Sequence, residues 1–118
     1  MSQDLKGRTK RFAIEIIRWV DTFPSKQSAW IVGKQVVRSA TSIGANYRTA
    51  CRAKSNADFI NKLKIVEEEA DETMYWLEII KEVNLTGDDP YITTLLKESN
   101  EIVAIIVSSI KTARNRPG

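Results

Sequence analysis

The sequence predicts an all-α protein, folded as an antiparallel up-down-up-down four-helix bundle. Three observations lead to this fold class. Apolar residues recur at helical spacing in four segments, no segment alternates apolar and polar residues as a half-buried strand does, and the connections are short. At 118 residues the chain has the size of one domain, which we expect to span residues 1–118.

The first predicted helix covers approximately residues 5–23 and the second approximately residues 25–54. Pro24 separates them, because the residue before a proline is pushed away from the helical conformation. Gly33 and Gly44 lie inside the second helix, where glycine is unfavourable unless another backbone approaches closely. We therefore expect a close helix–helix contact along this segment.

The third predicted helix starts at Ser55. Ser55 and Asp58 form the pattern of a capping box, in which the serine hydroxyl accepts a hydrogen bond from the backbone amide three residues on. Residues 84–88 break this helix. The fourth predicted helix has Asp89 as its N-cap and Pro90 at its first position, and it continues to about residue 113, before a basic tail.

The apolar stripes of the four helices predict one shared core. The stripe of the third helix repeats at alternating steps of four and three residues, which is typical of long antiparallel packing. The residues that we expect to face this core are Leu5, Thr9, Phe12, Ile16, Trp19, Val20, Phe23, Val32, Val36, Ala40, Ile43, Tyr47, Ala50, Phe59, Leu63, Val66, Ala70, Thr73, Leu77, Ile80, Ile92, Leu95, Leu96, Ser99, Ile102, Val103, Ile106 and Ile110.

Composition argues against several functional classes. The chain has one cysteine, Cys51, so no disulfide can form within it, and we expect a cytoplasmic location. It has no histidine, which argues against most transition-metal sites and against the usual general acid or base at neutral pH. No apolar run approaches the ~20 residues of a membrane span. We expect no cofactor, no metal and no membrane partner.

Charge is unevenly distributed along the chain. Residues 1–54 carry a net charge of +8, residues 55–101 carry −8 and residues 102–118 carry +3. Cations of the second helix share one face beside its apolar stripe. This face can be a solvated surface, a phosphate-contacting surface or an ion-pair partner for a neighbouring helix or subunit. The candidate nucleic-acid-binding residues are Lys34, Arg38, Arg48, Arg52, Lys54, Arg114 and Arg116.

An acidic cluster, residues 67–72, lies in the third helix. It can be a polar solvated face, or its carboxylates can receive an arginine or share a divalent cation. We expect Arg38 and Arg48 either to meet Glu69 or Glu72 or to line a basic surface. The candidate interface or ion-pair residues are Asn46, Glu69, Glu72, Tyr75 and Trp76.

An enzymatic alternative depends on carboxylate spacing. Glu68-Glu69-x-x-Glu72, followed by Glu98-x-x-Glu101, resembles the pattern of the all-helical MazG-type nucleotide pyrophosphatases. That family binds Mg²⁺ through EExxE and a later ExxD, and Glu101 stands here in place of the Asp. The resemblance implies a Mg²⁺-dependent pyrophosphatase.

Residues 38–77 resemble the bacterial four-helix-bundle family of 23S rRNA intervening-sequence proteins. The resemblance is carried by Arg38-Ser-Ala-x-Ser42-Ile43-x-x-Asn46, then Ser55, Phe59, Leu63 and residues 72–77. The family often has N-x-x-E-G, whereas Asn46 is followed here by Tyr47-Arg48-Thr49-Ala50, which contains no acid. Any role of that glutamate is therefore not carried over to this chain.

The resemblance implies a short bundle that assembles into a homopentameric ring, in a family whose members mostly have no known activity. A related branch, the accessory variability proteins of diversity-generating retroelements, binds reverse transcriptase and nucleic acid. Our leading hypothesis is a non-enzymatic, homo-oligomeric binding or scaffolding protein that acts on RNA or DNA, or as a reverse-transcriptase accessory. The alternatives are the pyrophosphatase and a purely structural oligomer, in which basic and acidic halves of adjacent subunits cancel.

Overall fold

The computed structural model describes residues 4–116 and contains four α-helices in that range. They are α1 (Leu5–Val20), α2 (Gln27–Ala50), α3 (Asn56–Glu82) and α4 (Tyr91–Arg114). Residues 1–3 and the last two residues of the predicted basic tail, 117–118, lie outside the described residues. Residues 4–116 include no strand, and the predicted all-α four-helix bundle is confirmed.

Each helix packs against its neighbour in the chain, and a narrower contact between α1 and α4 closes the bundle. Two hydrogen bonds show the antiparallel course of these helices. Trp19 Nε1, near the end of α1, donates to Asp89 Oδ2 just before α4, at 2.9 Å. Asn56 Nδ2, at the start of α3, donates to the Ala113 carbonyl at the end of α4, at 2.7 Å. The resulting rod measures 51 × 21 × 20 Å.

The helix ends agree with the sequence prediction to within a few residues. The Ser55 hydroxyl accepts from the Asp58 amide at 3.0 Å, so the predicted capping box is confirmed. At the end of α3, Asn84 adopts a left-handed conformation with φ of 54°, and the Leu85 amide donates back to the Ile80 carbonyl at 3.0 Å. This arrangement is a Schellman motif, which satisfies the last carbonyls of the helix.

The predicted boundaries of three helices shift slightly. The chain leaves α1 at Val20 rather than residue 23, although Phe23 still packs against the core from the turn. The helix α2 is shorter than predicted at both ends. The helix α4 begins one residue later than predicted, and the Asp89 side chain accepts a hydrogen bond from the Tyr91 amide at 3.0 Å.

The core is built from the predicted stripes, and its largest fully buried side chains come from all four helices. Each helix also contributes one buried hydroxyl-bearing residue: Thr9, Ser39, Thr73 and Ser99. The Ser39 and Thr73 hydroxyls are hydrogen-bonded at 2.8 Å, which joins α2 to α3 inside the core. The Thr9 hydroxyl donates to its own helix, to the Leu5 carbonyl at 2.9 Å.

The two glycines of α2 face α1. A Cβ atom at Gly33 would lie 2.9 Å from Val20 Cγ1, and one at Gly44 would lie 3.1 Å from Thr9 Oγ1. Both distances are shorter than ordinary van der Waals contact, so a side chain at either position would press against α1. Glycine at these positions therefore allows α1 to approach closely. The expected close helix–helix contact is confirmed, with α1 as the neighbour. Across residues 4–116, none of the helices has both the length and the apolar character needed to cross a membrane.

Candidate nucleic-acid interface

A groove follows the seam between the first part of α1 and the last part of α2. Small residues on both helices form its floor, including Ala13, Thr41 and Gly44. The groove exists because α1 lies so close to α2 here that no large side chain separates them. Its volume is about 440 Å³.

Four cations form the walls of this groove: Lys6 and Lys10 from α1, and Arg48 and Arg52 from α2 and the turn that follows it. We call these four residues the groove cations. All four are exposed, and none forms an ion pair with any other residue between 4 and 116. The residues that line the groove include no carboxylate.

One carboxylate lies near the end of the groove. Asp4 caps α1 by accepting a hydrogen bond from the Gly7 amide at 3.0 Å. Because this carboxylate is engaged with the helix terminus, whose partial positive charge it offsets, the groove keeps an excess of positive charge. A multiply charged anion is the ligand that suits such a surface.

Sequence reasoning found Arg48 and Arg52 but missed Lys6 and Lys10. A periodic pattern within one helix does not show which residues of another helix lie beside it. A signal was available, because Lys6 and Lys10 are one helical turn apart and adjacent to the buried positions Leu5 and Thr9.

The structure divides the predicted basic stripe between two neighbours of α2. Arg38 turns towards α3, where its guanidinium pairs with Glu69 at 3.4 Å and, more closely, with Glu72. Arg48 faces α1 instead, so of the two alternatives expected for it, Arg48 lines a basic surface and does not meet Glu69 or Glu72 within the chain. The reason is that the two residues lie on opposite flanks of the stripe, and each flank meets a different helix.

The ion pair at Arg38 shifts the pKa of both partners. The Arg38 guanidinium lowers the pKa of the Glu72 carboxyl. A hydrogen bond from Trp76 Nε1 at 3.1 Å lowers it further. The Glu72 carboxylate in turn raises the pKa of Arg38. Arg38 therefore has a carboxylate partner within the chain, unlike the groove cations.

The remaining predicted cations lie at separate places. Lys34 Nζ lies 5.6 Å from the centroid of the exposed Trp30 ring. Lys54 and Arg116 line one depression, between the turn after α2 and the end of α4. Arg114 lines another, between α3 and α4, together with carboxylates of α3 and cations of both helices.

The predicted interface residues lie on the outer surface of α2 and α3. Asn46 is half-buried, and its side-chain amide donates to the Ser42 carbonyl of its own helix at 2.8 Å. Tyr75 is 55% exposed and lies edge-on to Trp76, with ring centroids 5.2 Å apart. Tyr75 therefore leaves a large aromatic surface uncovered.

Four of the five carboxylates of the pyrophosphatase pattern belong to two separate ion-pair clusters, and the exposed Glu68 forms no ion pair among residues 4–116. Glu69 and Glu72 pair with Arg38, as described above. Glu98 and Glu101 both pair with Arg8 of α1, at 2.7 Å each, and they raise the pKa of its guanidinium. Within residues 4–116, no group of three or more acidic or cysteine side chains is arranged to hold a metal ion.

Comparison with known proteins gives the family. The family model described as 23S rRNA-intervening sequence protein matches residues 3–108. The chain belongs to this family. The resemblance recognised from Arg38, Ser42, Ile43 and Asn46 is therefore confirmed.

A solved structure is similar over almost its whole length. It is the crystal structure of a protein with unknown function from the S23 ribosomal protein family of Bacteroides thetaiotaomicron VPI-5482. The two chains are 39% identical, the match covers 90% of this chain and 97% of the other, and the TM-score is 0.82. No curated protein matches the chain.

Proposed function

We propose that this protein is a non-enzymatic, homo-oligomeric binding protein that holds nucleic-acid phosphates on the groove cations. One observation carries the proposal: four cations from two helices line one groove without a carboxylate among them. Phosphate contacts supply most of the affinity of sequence-independent nucleic-acid binding. Arg48 and Arg52 suit this role, because a guanidinium can bind a phosphate with two parallel hydrogen bonds.

A salt titration tests this function. We expect a labelled oligonucleotide to bind at low salt, with log K falling linearly against log salt concentration. Arg48→Ala with Arg52→Ala should weaken binding without sequence preference and should reduce the magnitude of the salt slope by about 1.4 to 1.8, because two phosphate contacts are lost. Lys6→Ala with Lys10→Ala should do the same.

The matched control removes two exposed cations elsewhere. Lys81 lies near the end of α3 and Lys97 lies in α4, and both are exposed. Lys81→Ala with Lys97→Ala removes the same charge as the groove variants, so it separates local contacts from net charge. Absence of binding at low salt, or an equal loss in the control, would rule out the groove as the binding site.

Homo-oligomer formation is supported by a second apolar stripe on α3. Beside its core-facing positions, α3 has an outer flank with the exposed residues Ile65, Tyr75 and Val83 and the half-buried Trp76 and Ile79. Trp76 also packs against the core. Ile65 and Val83 are 44% and 62% exposed. A helix that is apolar on two faces favours a second packing partner. We infer that this outer face of α3 contacts another copy of the chain, in the pentameric ring that the family resemblance implies.

Light scattering tests the assembly. We expect a mass that is a multiple of the 13.4 kDa chain, fivefold for a pentamer. Ile65→Glu with Val83→Glu should reduce the mass to that of one chain. Val107→Glu changes a 43% exposed residue on α4 and should leave the mass unchanged. A wild-type protein that stays monomeric at high concentration would contradict the proposed assembly.

The non-enzymatic part of the proposal is tested directly. A pyrophosphate-release assay with Mg²⁺ and mixed nucleoside triphosphates should show no turnover. Turnover that is abolished by Glu69→Gln would instead support the pyrophosphatase. A cytoplasmic location and a reverse-transcriptase partner remain predictions from the lone cysteine and from the family resemblance, respectively.

A further inference from the structure

A second depression continues the groove along the same pair of helices. It lies between the end of α1 and the start of α2, and its lining includes Val20, Phe23, Trp30 and Val37. Trp30 stands at its edge with 72% of its surface exposed, the largest exposed fraction among the exposed large apolar side chains of residues 4–116. Most of the indole ring is therefore not covered by other side chains of residues 4–116.

The two depressions form one continuous face. Val37 of the second depression and Thr41 of the groove are one helical turn apart on the flank of α2 that faces α1. From Trp30 to Arg48 the helix rises by about 27 Å. The face therefore has an aromatic ring at one end, small side chains in the middle and the groove cations at the other end.

This combination matches the chemistry of a single nucleic-acid strand. Single-strand sites combine a cationic track for the backbone with aromatic rings on which unpaired bases stack. In a duplex the bases are already paired and stacked, so an exposed indole on a helix flank meets no free base surface. Two cations, Lys26 and Lys34, and one carboxylate, Asp21, line that end of the face, so it has a net positive charge, and Lys34 Nζ lies 5.6 Å from the centroid of the Trp30 ring.

We propose that the α1–α2 face binds single-stranded nucleic acid, with its phosphates on the groove cations and one base stacked on Trp30. This inference rests on the proposed function and specifies its ligand. Binding is independent of sequence, because every base offers a flat surface to the indole.

Fluorescence anisotropy on the full chain at one salt concentration tests the ligand. The probes are a labelled oligo(dT) of about 16 nucleotides, at the upper end of known site sizes per domain, and a duplex of the same length. We expect tighter binding to the single strand, with quenching of tryptophan emission. Trp30→Ala should weaken single-strand binding by about 5- to 150-fold and remove the quenching, whereas Trp30→Phe should retain most of the affinity.

The control variant is Ile31→Ala, which removes an exposed apolar side chain next to Trp30 without removing a ring. It should leave single-strand affinity unchanged. Equal affinity for strand and duplex, with no effect of Trp30→Ala, would overturn this inference while leaving the proposed phosphate-binding function intact. Absence of binding to either probe would instead overturn the proposed function.

Two further outcomes would also overturn the inference. If Trp30→Ala lowers the mass measured by light scattering, the ring belongs to a contact between subunits. If polyglutamate competes as well as oligo(dT) at equal charge concentration, the face recognises an acidic protein rather than bases.

Discussion

At the scale of single residues, Ser99 is an exception to the rule that buried polar atoms have partners. Its side-chain oxygen is buried and has no hydrogen-bond partner among the described residues. A buried hydroxyl without a partner costs about 1–3 kcal/mol relative to one that is paired. Ser99→Ala should therefore stabilise the fold by about 1 kcal/mol, measured by urea denaturation at fixed protein concentration.

The control is Ser39→Ala, which makes the same chemical change at a buried position whose hydroxyl is bonded to Thr73. It should destabilise the fold by about 1 kcal/mol. Both substitutions gain the same helix propensity, so their difference isolates the hydrogen bond. A loss of stability in Ser99→Ala would show that its hydroxyl has a partner in solution.

Gly44 is a second residue whose identity depends on one contact. Replacing glycine by alanine inside a helix usually gains about 1 kcal/mol, but the added Cβ would lie 3.1 Å from Thr9 Oγ1. We expect Gly44→Ala to gain little in the wild-type chain and to gain about 1 kcal/mol more once Thr9→Ala removes the opposing oxygen. A double-mutant cycle of unfolding free energies measures this coupling, and additive effects would contradict the proposed contact.

At the scale of helices, α1 is the shortest of the four, and its contact with α4 is the narrowest helix–helix contact in the bundle. Arg8 reinforces that contact, because its guanidinium binds Glu98 through two nitrogens and also donates to Glu101. Arg8 and Glu98 are only 24% and 28% exposed, so solvent screens them less than a surface pair. This pair joins the first and last helices of the bundle.

Arg8→Met should lower the free energy of unfolding by about 1–2 kcal/mol. It keeps the apolar stem but leaves two carboxylates without their partner. Hydrogen exchange should accelerate in α1 before the other helices, because α1 loses an anchor. Arg18→Met is the control, since Arg18 is exposed on the same helix and forms no ion pair within residues 4–116. Equal effects of both variants would contradict the role of Arg8.

The helices themselves could be predicted from the sequence, whereas the groove could not. Periodicity within one helix identifies the residues that face inward, and Leu63, Val66 and Leu77 are buried as predicted. It does not identify the helix that each flank meets. Arg38 and Arg48 belong to one predicted stripe, yet one contacts α3 and the other faces α1. Only the packing of α1 against α2 brings Lys6 to Arg48.

At the scale of the whole molecule, the fold converts the uneven charge of the sequence into an uneven charge in space. The basic half of the chain forms the α1–α2 hairpin, and most of the acidic half forms α3 with the first part of α4. Arg8 and Arg38 pair across the boundary between the halves. The groove cations have no such partners among residues 4–116, so the positive surface lies on the α1–α2 side.

The same distribution of charges predicts how stability depends on pH. Hydrogen bonds from Lys62 and Lys54 lower the pKa of Asp58, and Arg38 lowers that of Glu72. Their stabilising contribution is present above the unfolded pKa of about 4 and is lost as the pH falls through the lower folded values. Burial, with a smaller contribution from the neighbouring Cys51, raises the pKa of Tyr47 to about 12.

Stability should therefore also decrease as the pH rises from about 10 towards 12, because the folded state resists ionisation of Tyr47. Between these limits we expect a plateau from about pH 5 to 8, since the chain has no histidine. Urea midpoints measured across pH at fixed protein concentration test this profile. Glu72→Gln should flatten the acid side and Tyr47→Phe the alkaline side. A pronounced step near neutral pH would contradict the assignment, because none of the groups named here titrates there.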